Sequence, residues 1–170
     1  MRRRDEEYTA FVRAVWPRLF RSAYALCGDH QLAQDAAQAA LIKAYASWRR
    51  VRRADSPEAY VRQMVVNELR GWWRRKAYRS ERATEDLDLR QVDSPENQLA
   101  TSDQIWRGLA TLPPRQRAVL VLRYFEDLSE RQIADQLGIR PGTVKSQAAA
   151  ALAKLRSGFT HELVTKGDVR

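Results

Sequence analysis

Residues 128–156 read LSERQIADQLGIRPGTVKSQAAAALAKLR, and this stretch decides the fold. Ser129 is a favourable N-cap, and Gln132, three residues on, can reach back to complete a capping box. Ile133, Ala134 and Leu137 then fall on one helical face. Gly138 follows at the position where a left-handed residue ends a helix at little cost. Ile139 packs the turn, and Pro141 sits where a first helical residue belongs, since its missing N–H costs nothing there. Val144, Ala148, Leu152 and Leu155 recur at helical spacing as a second apolar face. The opposite face carries Thr143, Lys145, Ser146 and Gln147, short and polar, with no acid for more than a turn. An ordinary helical hairpin in a core has no need of such a surface. Turn and acid-free face together read as a helix-turn-helix whose second helix enters a DNA major groove.

The totals agree with a polyanion partner. The chain's 170 residues allow one domain or two small ones, and 44 % hydrophobic residues allow a packed core. Net charge is +9, carried by 25 arginines and only five lysines. A single cysteine, Cys27, excludes an internal disulfide and makes a reducing cytoplasm the expected compartment. It lies in an apolar run before Gly28 and reads as a small core residue. Two distant histidines, His30 and His161, offer no zinc site, so neither metal nor cofactor is expected. No apolar run approaches the ~20 residues that span a bilayer. The basic N-terminus leads straight into acids rather than into a signal-peptide core. No membrane insertion is expected.

Upstream, Tyr8, Phe11, Val12, Val15 and Trp16 set a helix that Pro17 should kink or restart. Leu19, Phe20, Ala23, Tyr24 and Leu26 carry its apolar face to a turn at Gly28 and Asp29. A second helix, from about Gln31 to Trp48, turns Leu32, Ala36, Ala40, Leu41, Ala44, Tyr45 and Trp48 inward. Arg49 to Asp55 is a charged break. Ser56-Pro57-Glu58 then combines N-cap, proline at the first helical position and an early acid. The helix it starts buries Tyr60, Val61, Met64, Val65 and Leu69 and runs toward Lys76. Residues 80–94 hold five acids against two bases and no aromatic ring, which reads as a flexible linker. Ser94-Pro95-Glu96 repeats the start signal for a helix with Leu99, Ile105, Trp106 and Leu109, ending near Leu112. Pro114 opens another, with Val119, Leu120, Leu122 and Phe125. After Arg156, Gly158 loosens the chain into a short tail. No segment alternates with period two. The expectation is an all-α fold of two small helical modules, 1–79 and 95–170, joined by the linker 80–94.

Charge sorts by segment: +9 in residues 1–79, −3 in the linker and +3 in residues 95–170. The stronger positive field therefore lies outside the helix-turn-helix. The candidate for a second surface there is NELRGWWRRKAYR, Asn67 to Arg79. Arg70, Arg74, Arg75, Lys76 and Arg79 can neutralise phosphates without regard to sequence. Trp72, Trp73 and Tyr78 interleave with them, and rings of this kind stack on unpaired bases at roughly 1–3 kcal/mol each. Adjacent helical residues lie about 100° apart. One tryptophan, more naturally Trp72, is expected in the core, leaving a ring at the surface.

A helical module for unpaired strand and another for duplex resemble a bacterial sigma factor of the sigma-70 family, in its extracytoplasmic-function (ECF) group. The resemblance runs from about Tyr8 to Arg156 and rests on AQDAAQAAL at 33–41, the Ser56 to Arg75 helix, LPPRQRAVLVLRYFEDLS at 112–129 and GTVKS at 142–146. It implies that residues 33–48 grip the β′ clamp helices of core RNA polymerase, through Asp35, Gln38 and Lys43. It implies that Asn67, Arg70, Trp73, Arg74, Arg75, Lys76, Tyr78 and Arg79 open and hold the −10 promoter element. Arg140, Thr143, Lys145, Ser146 and Gln147 would read duplex at −35, with the module resting on the β flap. An anti-sigma protein would be the regulatory partner, and the free chain a monomer. Two departures stand out. Ala39 replaces the acid the family usually places after Gln38. The recognition helix runs on through Gln147 into four alanines rather than into arginine and leucine, which removes phosphate contacts.

The reading is thus a promoter-specificity subunit and not an enzyme. No nucleophile–base pair, phosphate-cradling glycine loop or metal cluster is present in the sequence pattern. A stand-alone helix-turn-helix regulator is the alternative, but the N-terminal half offers neither a ligand pocket nor a receiver pattern. A strand-processing enzyme would want clustered acids beside Asn67 to Arg79, and none stand there.

Overall fold

The computed structural model describes the backbone of residues 2–82 and 100–167, with side chains for 3–76 and 104–158. Among the described residues there are helices and turns and no strand. The chain divides into two compact units, Met1–Gln91 and Val92–Arg170. Most of the span expected as linker, with the start signal at Ser94, lies outside the described residues.

Among the described residues the first unit holds α1 (Arg2–Cys27), α2 (His30–Ala46), the single turn α3 (Trp48–Val51) and α4 (Pro57–Arg82). α2 is central and packs on both α1 and α4. It does so through small side chains: Ala33, Ala36, Ala37, Ala40 and Ala44 are buried beside Leu41. The inward stripe is thus rotated from the expected one, with Leu32 half-buried and Tyr45 exposed. Alanines let two neighbouring helices approach from two sides, where the larger side chains would not fit. Pro17 neither breaks nor restarts α1, which runs unbroken through it. Pro17 and Arg13, whose carbonyl loses its helical donor, both lie on the exposed face, where water can supply the missing bond. Gly28, at φ 68°, ends α1, and Asp29 caps α2 by accepting from Leu32 N at 2.8 Å. Cys27 is only partly buried, and its thiol donates to Asp29 O at 3.3 Å. It stands at the corner between α1 and α2, not in the core.

The charged stretch after Trp48 is structured by one residue the pattern hides, the fully buried Val51, which closes α3. Trp48 itself is buried beneath Tyr8 and Phe11, with ring centroids at 5.2 and 5.0 Å. α4 starts as expected, with Ala59 N donating to Ser56 Oγ at 3.2 Å. Its buried residues are Val61, Val65, Val66 and Leu69, while Tyr60 and Met64 are half-buried.

The second unit holds α5 (Ala100–Ala110), α6 (Pro114–Leu120), α7 (Glu130–Leu137) and α8 (Pro141–Gly167). α6 widens into a π-turn at Val121–Phe125, which turns Tyr124 and Phe125 outward where Phe125 was expected inside. Arg117 is buried, and its guanidinium donates to Leu109 O, Ala110 O and Leu112 O at 2.8, 3.2 and 3.3 Å. It thereby ties down the carbonyls at and just beyond the end of α5, where Leu109 O also accepts from Leu112 N at 3.2 Å. Ser129 and Gln132 form the capping box, at 2.8 and 3.2 Å. Gly138 is left-handed at φ 64°. Ile133, Ala134 and Leu137 of α7 are buried, as are Val144, Ala148 and Ala151 of α8, on which α7 packs. Leu152 and Leu155 are only half-buried, because the short α7 no longer covers α8 at that height. α8 does not loosen at Gly158 but stays helical to Gly167. One glycine costs about 1 kcal/mol in a helix, too little to end one without a proline or a left-handed cap behind it.

Candidate nucleic-acid interface

Two basic surfaces result, one in each unit. In the second unit, α7 and the turn at Gly138 hold the first turn of α8 outward. Thr143 N and Val144 N donate to Arg140 O at 2.9 and 3.1 Å, so Arg140 stands at the helix entrance. Arg140, Lys145 and Ser146 are exposed, and Thr143 and Gln147 are half-buried beside them. The five residues singled out from sequence thus share one short stretch of helix. Ser146 Oγ donates to Thr143 O at 3.0 Å, which directs the hydroxyl back along the helix. The face is acid-free along α8 itself but not in space. Glu130 of α7 lies 3.9 Å from Lys145 Nζ and 3.5 Å from Arg123 Nη1.

In the first unit, Leu69 is the last buried residue of α4 among the described side chains; those of residues 70–76 are half-buried or exposed. The helix outruns the neighbours that cover it. Neither tryptophan is therefore in the core: Trp72 and Trp73 are both half-buried, and Lys76 Nζ sits 4.9 Å above the Trp72 ring. By helical spacing Asn67, Arg70 and Arg74 share one face, whereas Trp72, Trp73 and Lys76 continue the Val65/Leu69 side. The helix so presents arginines on one side and, on another, rings with Lys76 among them. Asn67 is exposed, its Oδ1 accepting from Gln63 Nε2 at 3.1 Å. The side chains of Tyr78 and Arg79 lie outside the described residues, although their backbone is helical. Sequence reasoning passed over Arg49, Arg50 and Arg53, which with Ala54 and Tyr60 line a shallow basic cleft at the foot of α4. The charge run itself was the available signal.

On α2, Asp35 and Gln38 are exposed on a face away from the alanine stripe, and Gln31 Nε2 donates to Asp35 Oδ1 at 2.9 Å. Ile42, 71 % exposed, belongs to the same face and was missed. Lys43 is not on that face; its ammonium is tied to Glu68 of α4. The N-terminal turn of α1 braces this helix. Tyr45 OH donates to Asp5 Oδ1 at 2.7 Å, and that bond and the charge of Asp5 hold the phenol above its ordinary pKa. Tyr8 OH donates to Leu41 O at 2.5 Å, and burial pushes its pKa up as well. Among the described residues no group of His, Cys, Asp and Glu could hold a metal ion, and no helix is long and apolar enough to cross a membrane.

Among the described residues, all helix and turn, a helix-turn-helix in one unit and a basic, ring-bearing helix end in the other mark a nucleic-acid-binding protein. Residues 11–79 match the family model for sigma-70 region 2, and residues 102–155 that for sigma-70, region 4. The chain belongs to the sigma-70 family, in its extracytoplasmic-function group. It is 37 % identical to an RNA polymerase sigma-E factor of Streptomyces avermitilis, over 88 % of this chain and 83 % of the relative. It is 30 % identical to the ECF RNA polymerase sigma factor SigL of Mycobacterium tuberculosis, over 86 % and 88 %. In fold it is similar to the sigma factor RpoE of Bartonella quintana, solved in complex with the anti-sigma factor NepR. There the TM-score is 0.68 and identity 21 %, covering 89 % of this chain and 96 % of that one.

Proposed function

We propose that this chain is the promoter-specificity subunit of a bacterial RNA polymerase, binding core enzyme and promoter DNA to start transcription. The observation that carries the reading is the pair of unlike basic surfaces, each inside one of the two family regions. The start of α8 is polar and set by the turn before it, suited to base edges in a duplex groove. The end of α4 is long, arginine-rich and flanked by accessible rings, suited to melted strand. Residues 1–79 act as the core-binding and −10 module, 80–94 as the acidic linker and 95–170 as the −35 module. Asp35 and Gln38, with Ile42 beside them and Lys43 at the border, meet the polymerase clamp. The chain contributes no catalytic group; phosphodiester chemistry belongs to the polymerase. It works in the cytoplasm, and an anti-sigma protein is its natural restraint.

Strand opening provides the test, because melted bases must recover lost stacking of ~1.4 kcal/mol per step. In holoenzyme, Trp73→Ala with Tyr78→Ala should still bind closed promoter. At roughly 1–3 kcal/mol per ring, it should open −10 thymines to permanganate at least about tenfold more slowly. A template melted in advance should restore transcription. Wild-type opening rates would refute ring capture. Failure of the wild-type chain to form a stoichiometric complex with core polymerase would refute the whole reading in favour of a stand-alone regulator.

A further inference from the structure

We propose that Glu130 restrains the grip of the recognition helix on duplex DNA by competing with phosphate for Lys145 and Arg123. The inference rests on α8 being the duplex-reading helix. Three elements meet at this carboxylate: the π-turn supplies Arg123, the first turn of α7 supplies Glu130, and the first turn of α8 supplies Lys145. One oxygen faces Arg123 at 3.5 Å and the other faces Lys145 at 3.9 Å, and the side chains are 31 %, 36 % and 70 % exposed for Glu130, Arg123 and Lys145. The whole group is therefore open to a backbone phosphate approaching α8.

A duplex seated there finds two cations already sharing one anion. Each cation that turns to a phosphate leaves Glu130, and the carboxylate repels phosphates nearby. Lys145 is a flexible point charge and can make that exchange without moving the helix. A purely structural role is less demanding: an acid in the first turn favours the helix dipole. Yet α7 is already capped by the reciprocal Ser129 and Gln132 bonds. In residues 128–156 the only other acid is Asp135, well round the cylinder from Glu130. The anion beside Lys145 is thus a placed charge. It lowers the sequence-independent part of binding and leaves the groove contacts of Thr143 and Gln147 to decide between sites.

Glu130→Gln tests this in the full-length chain with a fluorescent mixed-sequence duplex titrated at several salt concentrations. Affinity at low salt should rise about two- to fivefold, the range of an exposed ion pair. The slope of log K against log salt should steepen by about one. Adding Lys145→Ala should return both toward wild type, and the melting temperature of Glu130→Gln should stay close to that of wild type. Unchanged affinity and slope would overturn the proposal. Weaker binding with a lowered melting temperature would also overturn it, and make Glu130 a helix-start acid only. If wild-type protein shows no salt-dependent duplex binding, the duplex-reading assignment fails and the proposal with it.

Discussion

The two units solve the same problem, burying one helix against others, with different side chains. In the first, α2 is buried through Ala33, Ala36, Ala37, Ala40 and Ala44, with one leucine. In the second, Val119, Leu120, Val121, Leu122, Ile133, Leu137 and Val144 fill the space where the short α6 and α7 meet the start of α8. Small residues let long helices lie close together, and one of them, α4, then runs past its neighbours and carries charge into solvent. Branched residues around a tight turn fix direction instead. α7 is started by a capping box and stopped by a left-handed glycine, and a proline opens α8, so the polar side chains of α8 leave from a set place. A surface that takes any phosphate tolerates a projecting helix end, whereas one that reads base edges does not.

The sharpest way to break this comparison is to remove a support that only the second unit has. Arg117→Ala takes a donor from three carbonyls near the end of α5, of which Leu109 O keeps its bond from Leu112 N, and should cost that unit about 2–4 kcal/mol. Urea unfolding followed by amide hydrogen exchange should show its protection falling while α1, α2 and α4 keep theirs. Equal loss in both units would mean that they fold as one. The first unit has its own sensitive point. Ala40→Leu adds three carbons where no surface is exposed and should cost about 1–3 kcal/mol through overpacking, seen as a lower unfolding midpoint confined to that unit.

The difference between charge and geometry is sharpened at α8. Gln147→Ala should relax preference at one base pair, by about 1–3 kcal/mol, when a −35 duplex library is sorted on holoenzyme. Lys145→Ala should weaken all members alike and flatten the salt slope by about one. Identical base preferences for wild type and Gln147→Ala would move α8 to the tolerant class that α4 represents. The smallest effect is at Gly158, where an added Cβ meets nothing within 4 Å. Gly158→Ala should stabilise the second unit by about 0.5–1 kcal/mol in thermal unfolding.

Local chemistry settled what a few neighbouring residues can settle alone. The capping box at Ser129, the glycine stop at Gly138, the proline starts at Pro57, Pro114 and Pro141, and the all-helical class are written in side chains that act on their own backbone. The five polar residues at the start of α8 were legible for the same reason. Tertiary structure decided which apolar residues are inside. Helical spacing marks a stripe but not how far a partner covers it, so Trp72, Trp73, Leu152 and Leu155 fall outside cores whose pattern they continue. It decided that Pro17 interrupts nothing and that α8 carries on past Gly158. It separated Lys43 from Asp35 and Gln38 by drawing its ammonium to Glu68, and it set Glu130 against Lys145 across a turn. Charge pairs between elements depend on distances that only packing creates, and one chain of letters holds no such distances.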